Sequence, residues 1–250
     1  MLKKRIIPKL LLRDGRNVKG VRFGSLRDVG NPVSNARIYD AQGTDELIFL
    51  DISATLENRG TLFGIIAKAA EEIFMPFCVG GGVRSVEDVR NLLLAGADKV
   101  AINTAAAADP DLVSAGAKAF GAQCMVVSID FKREDGRCRV YVRGGTRPAG
   151  LDLLDHAKRM VDAGAGELLV TSIDRDGTMS GCDLEAIAEV AQAVGVPVIA
   201  SGGCGTLAHM AEALTEGKAS AIAVGSLFHF TDQSPIKARS YLSVAGVPVR

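Results

Sequence analysis

The sequence predicts a single (βα)8 barrel, the TIM-barrel fold of the α/β class, over residues 1–250. Three observations support this prediction. Eight strand-like runs alternate with helical segments, most of these runs are apolar throughout, and the two halves of the chain repeat each other. The chain is 48% hydrophobic, which is enough for one large core. An open, doubly wound sheet is the competing architecture for such an alternation.

The predicted strands are short and rich in β-branched residues. Because most of them lack polar–apolar alternation, they are typical of parallel strands that are buried on both faces. They cover, in chain order, residues 5–12, 46–51, 76–79, 99–103, 125–130, 167–172, 196–201 and 221–226. One intervening helix is expected to begin after Ser85 as N-cap and to end at Ala95-Gly96, and another to begin at Asp183.

The second half of the chain repeats the first at an offset of about 121 residues. A glycine run at 80–82, a helix and an apolar strand recur as a glycine pair at 202–203, a helix and another apolar strand. Residues 49–53 likewise match residues 170–174. Four strand–helix units in each half predict two half-barrels that close into one domain.

Two connections are longer than the others, and both follow the carboxyl end of a predicted strand. Residues 13–31 carry Lys19, Arg22 and Arg27, and residues 131–146 contain Asp135-Gly136, a dipeptide typical of a tight hairpin turn. Carboxyl ends of strands form the catalytic face of such barrels, so both connections are interpreted as lids or substrate loops.

Composition argues against several classes of function. The 29 basic residues balance the 29 acidic ones, so no net field would hold nucleic acid or an anionic membrane. No apolar run reaches the roughly 18 residues of a membrane span, and the N-terminus is interpreted as a mature strand and not a signal peptide. Five cysteines without a Cys-x-x-Cys pair predict reduced thiols in the cytoplasm. The three histidines are isolated, so neither a metal nor another cofactor is expected.

Glycines that follow the predicted strands indicate two phosphate-binding loops, because glycine lets backbone N–H groups approach an anion. The alternative is that these glycines serve tight turns only. Since the repeat relates the two sets, they predict an elongated ligand with a phosphate at each end. The first cradle, as we call it, comprises Gly81, Gly82, Asn103 and Thr104. The second cradle comprises Asp176, Gly177, Gly202, Gly203, Gly225 and Ser226. Lys19, in the long connection after the first strand, is a further candidate for phosphate binding.

One acid stands out as a candidate for proton transfer. Asp130 ends the fifth predicted strand, where its side chain would point into the barrel mouth and could act as a general acid or base. The repeat sets Leu11 of the first strand opposite Asp130, and a leucine cannot move a proton. A solvated or capping carboxylate is the alternative interpretation of Asp130.

Charged residues also begin four of the predicted strands. They enter the same end of the barrel and can alternate as two bases and two acids in a ring around the axis. The members of this charged ring are Arg5, Glu46, Lys99 and Glu167. Taken alone, the ring is interpreted as a stabilising cluster, because the amino end of the strands normally serves stability.

Together these residues resemble the cyclase subunit family of imidazole-glycerol-phosphate synthase, an enzyme of the histidine pathway. The resemblance spans nearly the whole chain, and its most specific motif is Thr171–Thr178. The other motifs that carry it are residues 45–52, 79–82, 96–105, 199–203 and 225–230.

The resemblance implies a barrel whose ligand has two phosphates and whose bottom is docked on a glutaminase partner. Ammonia from that partner would pass along the barrel axis to the top. The charged ring matches the family's ammonia gate residue by residue, and Asp98 matches a position at the partner interface.

The family's cyclase chemistry looks like the work of two aspartates, and only Asp130 is present here, since Leu11 occupies the other position. The leucine resembles a branch of paralogues found with surface-polysaccharide genes, in which the barrel and its glutaminase deliver ammonia to a separate sugar amidotransferase. The loop after the fifth strand also departs from the family at Gly144 and Pro148. Three hypotheses follow: an ammonia-conducting barrel, a working cyclase that uses Asp130 alone, and a sugar-phosphate isomerase of the sister family. Leu11 favours the first.

Overall fold

The computed structural model describes residues 3–250, in which eight parallel strands close into a barrel surrounded by helices. The barrel strands are β1 (Arg5–Arg13), β4 (Leu47–Asp51), β5 (Phe77–Gly80), β6 (Lys99–Ile102), β7 (Met125–Glu134), β10 (Glu167–Ser172), β11 (Val198–Ser201) and β12 (Ala221–Val224). Each strand pairs with its sequence neighbours in the barrel, β12 returns to β1, and β7 pairs with β10, so the eight-stranded barrel is closed. The predicted (βα)8 fold is confirmed, and the open sheet is excluded.

The helices follow the strands in the expected alternation. They are α1 (Pro32–Ala41), α2 (Phe63–Glu72), α3 (Val86–Leu94), α4 (Thr104–Ala108), α5 (Asp111–Phe120), α6 (Leu153–Asp162), α7 (Leu184–Ala193), α8 (Leu207–Thr215), α9 (Ser226–Phe230) and α10 (Pro235–Val244). Ser85 caps α3, as predicted, in a reciprocal capping box with Asp88. Helix α7 begins where predicted, with Asp183 as its N-cap. The predicted strands 99–103 and 221–226 were too long, because the short helices α4 and α9 begin at Thr104 and Ser226.

Both long connections are antiparallel extensions of barrel strands. The second contains β8 (Arg137–Val142) and β9 (Arg147–Asp152), and Asp135-Gly136 forms the expected turn with positive φ at both residues. The first was predicted only as a lid or substrate loop, but it holds β2 (Arg16–Val21) and β3 (Gly24–Gly30). Its turn uses the same dipeptide, Asp14-Gly15, again with positive φ at both positions.

Two cores explain why the barrel strands are apolar on both faces. Along β1, Ile6, Leu10 and Leu12 point outward into the core between strands and helices, whereas Ile7 points into the lumen. The same alternation along the other strands fills both sides of the barrel wall. Among residues 3–250, the five cysteines are free thiols, and every helix is too short or too polar to cross a bilayer.

Candidate functional site

A cavity of about 610 Å³ opens at the carboxyl end of the barrel strands. The ends of the strands and the loops that follow them form its floor and sides, and both hairpin extensions contribute to its rim. Of the sequence-predicted residues, six line this cavity together with Leu11: Gly81, Gly82, Asn103, Thr104, Asp130 and Asp176. The carboxyl face is therefore the candidate site.

Strand β1 presents three side chains in succession to the barrel interior. Ile7 lies in the lumen, and Lys9 and Leu11 line the cavity above it, because alternate residues of a strand share one face. Leu11 is 7% exposed, so the position that the repeat pairs with Asp130 carries a nearly buried aliphatic side chain. The cavity wall at this point has no group that can exchange a proton.

Asp130 is the acid best placed for proton chemistry. Its Oδ2 accepts a hydrogen bond of 3.0 Å from Asn103 Nδ2. The pKa of Asp130 is raised to about 7, mainly because the carboxyl is buried. The Lys9 ammonium acts to lower this pKa, and the Asp176 carboxylate acts to raise it. At neutral pH the carboxyl is thus divided between its two protonation states and can donate or accept a proton.

Two other acids near strand ends, Asp51 and Asp174, have structural partners. Asp51 is paired with Arg59 at 2.6 Å and accepts hydrogen bonds from the backbone N–H of Ser53 and Ala54, so it orders the loop after β4. Asp174 accepts a hydrogen bond from the backbone of Arg133.

One buried lysine and three hydroxyl side chains on the inner face of the barrel were missed from the sequence. Lys9 is 3% exposed, and its Nζ donates to Ser201 Oγ at 2.7 Å and lies 3.8 Å from Asp176 Oδ1. Thr171 and Ser128 line the cavity near it. The sequence could have indicated them, because each lies two residues after a lumen residue of its strand and so faces the barrel interior. The four positions are Lys9, Ser128, Thr171 and Ser201.

The first cradle is open to the cavity. All four of its residues line the cavity, and Gly81 and Gly82 both have positive φ. The backbone N–H of Arg143, in the loop between β8 and β9, donates to Thr104 Oγ1 at 3.0 Å and so ties the second hairpin to this side of the mouth.

The second cradle is assembled but mostly covered. Asp176 reaches the cavity, whereas Gly202, Gly203, Gly225 and Ser226 are buried and do not line it. Lys19, on β2, is 2% exposed and its Nζ donates to Asp176 Oδ2 at 2.7 Å. The first hairpin therefore lies over this side of the mouth.

The charged ring closes the opposite end of the barrel. Arg5 Nη1 lies 2.6 Å from Glu46 Oε2 and also pairs with Glu167, while Lys99 Nζ lies 2.9 Å from Glu46 and 2.8 Å from Glu167. Burial alone would lower the pKa of Lys99, but the two carboxylates more than offset burial and raise it. The expected ring of ion pairs is present, with each base bridging both acids.

An apolar layer separates the charged ring from the cavity. It includes Cys78 and Ala101. The other members are Ile7, Ile48, Val126, Leu169, Ile199, Ala221 and Ala223, with Leu50 packed against them. The barrel axis thus runs from an ionic layer through an apolar layer to a polar mouth.

Asp98 lies exposed beside the ring at the start of β6. Its carboxylate accepts a hydrogen bond of 2.9 Å from the backbone N–H of Phe77. On this end of the molecule Phe74 is 95% and Leu94 79% exposed, a large apolar exposure for single side chains. Within residues 3–250, no group of three or more histidine, cysteine or acidic side chains is arranged to hold a metal ion.

A comparison with protein families agrees with this architecture. The family described as "Histidine biosynthesis protein" matches residues 5–234, which include all eight barrel strands and both cradles. That match is consistent with the resemblance to a cyclase-like barrel subunit. The chain belongs to the histidine biosynthesis protein family.

Proposed function

We propose that this chain is the ammonia-conducting barrel subunit of a glutamine amidotransferase complex, with a phosphate-binding mouth. The observation that carries the proposal is the stack of three layers on one axis: the charged ring, the apolar layer and the polar mouth. A glutaminase at the ring end would supply ammonia, which would travel to the mouth.

The apolar layer suits neutral ammonia better than any ion. A charged group that entered this layer would lose its hydration and find no partner, whereas neutral ammonia avoids most of that cost. Cys78, Ala101, Ala221 and Ala223 are the small side chains in the layer, so they leave the most room for a small molecule to pass.

The charged ring would serve as the gate. Buried ion pairs are weak evidence for stability, because desolvation offsets much of their attraction. The side chain of Lys99 is 21% exposed, compared with 4% for Glu46 and 5% for Glu167. Lys99 is therefore the member best able to swing outward and open the ring.

The partner would dock on the ring end of the barrel. Phe74 and Leu94 provide exposed apolar side chains there, and Asp98 provides an exposed charge. Exposed apolar patches rimmed by polar residues mark protein–protein contacts. The acceptor of the ammonia, as the resemblance implies, would be a sugar amidotransferase of surface-polysaccharide synthesis acting in the cytoplasm.

A working cyclase of histidine biosynthesis is the second candidate. The pKa of Asp130, near 7, favours it, since a catalytic acid or base works best with a pKa near the working pH. Leu11 opposes it, because position 11 of the cavity wall carries an aliphatic side chain and no acid. The third hypothesis, a sugar-phosphate isomerase of the sister family, is the least favoured. Such an isomerase also uses an acid on the first strand, and it has no need of the gate.

The test is to supply the purified chain with ammonium salt and the family's bis-phosphate substrate. The conduit hypothesis expects turnover that is very slow or absent, because a missing general acid–base group costs roughly 10²–10⁴-fold in rate. Turnover at a rate normal for such cyclases would overturn the conduit and establish the second candidate.

A further inference from the structure

We propose that the two hairpins at the mouth of the barrel form the docking surface for the enzyme that consumes the ammonia, and that this enzyme presents an acidic surface to them. The inference rests on the conduit of the proposed function and adds the place and the chemistry of the contact. It concerns the outer surface of the hairpins and not the cavity between them. The two hairpins together, residues 13–30 and 131–152, are called the mouth rim.

The charge of this chain is distributed unevenly. Over the whole sequence 29 basic residues balance 29 acidic ones, but the mouth rim contains eleven basic residues and only five acidic ones. The rest of the chain is therefore net acidic by the same amount. Positive charge is concentrated where the conduit opens, and such a concentration steers partners of the opposite sign toward a surface.

Five arginines of the mouth rim are free to bind a large partner. None of them forms an ion pair with any residue of 3–250, none lines the cavity, and four of the five are exposed. They are Arg22, Arg27, Arg137, Arg139 and Arg147. A small ligand inside the cavity would not need them. Arginine is enriched at protein interfaces, and its guanidinium pairs with carboxylates through two parallel hydrogen bonds.

The two hairpins meet and form one continuous surface. Phe23, at the turn of the first hairpin, packs so closely on the second that a Cβ on Gly145 would lie 2.8 Å from its Cδ2. Asp174 joins them from below, because its carbonyl oxygen accepts from Arg22 Nε at 3.1 Å and its carboxylate accepts from the backbone N–H of Arg133 at 2.9 Å. One partner can therefore contact both hairpins at once.

Exposed apolar side chains lie where the hairpins meet. Val21, two residues before Phe23, is 46% exposed, and Leu56 is 48% exposed. Leu56 belongs to the loop after β4 and borders the second hairpin, since a Cβ on Gly144 would lie 3.8 Å from its Cδ1. Apolar side chains surrounded by charged ones are typical of protein–protein interfaces. A nucleic acid would use the arginines for its phosphates but would leave the apolar side chains without a partner, so a protein is favoured.

Direct contact at the mouth is also what the chemistry of ammonia requires. Ammonia that left the mouth into neutral water would take up a proton, and ammonium has no lone pair with which to attack a carbon atom. An acceptor enzyme seated on the mouth rim would receive the molecule before it reached the solvent. The basic rim thus holds the acceptor at the place where the conduit opens.

Binding of the acceptor enzyme to charge-reversal variants tests the proposal. The sugar amidotransferase of the proposed function is titrated onto the chain, alone and with its glutaminase bound. Arg27→Glu and Arg147→Glu, one in each hairpin, should each weaken its affinity about tenfold or more. Arg159→Glu is the matched control, an exposed arginine without an ion pair among residues 3–250 in the last turn of α6, at the opposite end of the barrel. It should leave the affinity unchanged.

Salt provides a second measurement on the unchanged protein. The association rate should fall about tenfold between about 50 mM and about 500 mM sodium chloride, because salt screens the attraction between exposed charges. An acceptor that does not bind, or that binds the hairpin variants as tightly as the control, would overturn the proposal. So would an association rate that does not depend on salt.

Product formation separates this proposal from the conduit itself. Both hairpin variants should lower amidation that depends on glutamine, whereas amidation with ammonium salt should be unchanged, because dissolved ammonia reaches the acceptor from the solvent. If the acceptor binds the mouth rim but receives no nitrogen from glutamine, the conduit fails and the docking surface stands. If nitrogen is transferred equally well in the hairpin variants, the docking surface fails and the conduit stands.

The other possible occupants of the mouth rim are measured alongside. A DNA oligonucleotide and vesicles that contain phosphatidylglycerol serve as anionic probes, and sedimentation velocity detects a second copy of the chain. We expect none of the three to compete with the acceptor at physiological salt. If one of them binds in its place, and Arg27→Glu and Arg147→Glu abolish that binding, the rim has a different partner and the proposal is overturned.

Discussion

Asp130→Asn should make the stability of this protein less sensitive to pH. The pKa of Asp130 is about 7 in the folded protein, compared with 3.8 for an ordinary aspartate. Between these values the folded state holds a proton that the unfolded state has lost, so stability falls as the pH rises. Each pH unit in that window costs about 1.4 kcal/mol, which gives up to about 4 kcal/mol in all. Asparagine keeps an oxygen to accept the Asn103 hydrogen bond and does not ionise.

Urea unfolding at several pH values measures this effect. The free energy of unfolding of Asp130→Asn, minus that of the unchanged protein, should increase by about 2–3 kcal/mol between about pH 5 and pH 8. Asp135→Asn, in an exposed turn, is the matched control and should show no such increase. If the curves of Asp130→Asn and the unchanged protein run parallel, Asp130 does not hold its proton in the folded state, and the proton chemistry assigned to the mouth fails.

Three further predictions concern the mouth and the gate. Leu11→Asp restores a carboxyl to the cavity wall, so we expect measurable cyclase turnover on the family's bis-phosphate substrate where the unchanged protein has little; equal rates would show that position 11 is not what limits the reaction. Lys99→Ala leaves Glu46 and Glu167 sharing Arg5, so the free energy of unfolding in urea should fall by about 2–3 kcal/mol. This is less than the roughly 3–5 kcal/mol of a fully buried pair, because Lys99 is partly exposed. An unchanged free energy of unfolding would show that the ion pairs of the ring are weak. Gly82→Ala places a Cβ 2.8 Å from the carbonyl oxygen of Arg59, at a position where the backbone has a positive φ. The variant should therefore have a lower midpoint of thermal unfolding and weaker phosphate binding. Unchanged values would contradict the tight packing of the first cradle.

The barrel could be predicted because its signals are periodic and repeated. Eight apolar runs, each buried on both faces, leave few alternatives to a parallel barrel, and the half-chain repeat fixes where it closes. The charged ring was equally accessible, since Arg5, Glu46, Lys99 and Glu167 all begin strands, and strand starts gather at one end of a barrel.

The first hairpin and the covered second cradle could not be predicted in the same way. Strands β2 and β3 lie outside the barrel, so Arg16–Val21 and Gly24–Gly30 lack its apolar pattern, although Asp14-Gly15 was a usable turn signal. Glycine at 203 or 225 has the same appearance in a sequence whether its missing side chain admits an anion or another part of the chain. The structure separates these two uses: the Lys19 side chain lies beside Gly225, and the carbonyl oxygen of Gly181 lies beside Gly203.

Transfer of labelled nitrogen through the barrel tests the ammonia conduit most directly. The chain, its glutaminase and the acceptor enzyme are supplied with amide-¹⁵N glutamine and with unlabelled ammonium salt, and the amidated product is analysed by mass spectrometry. The conduit predicts ¹⁵N in the product of the unchanged protein, and loss of that label in Ala101→Leu, which fills the apolar layer, while unlabelled ammonium entering at the mouth still supports the reaction. Product from Ala101→Leu that carries as much ¹⁵N as before, with the barrel folded and the complex intact, would contradict passage along the axis.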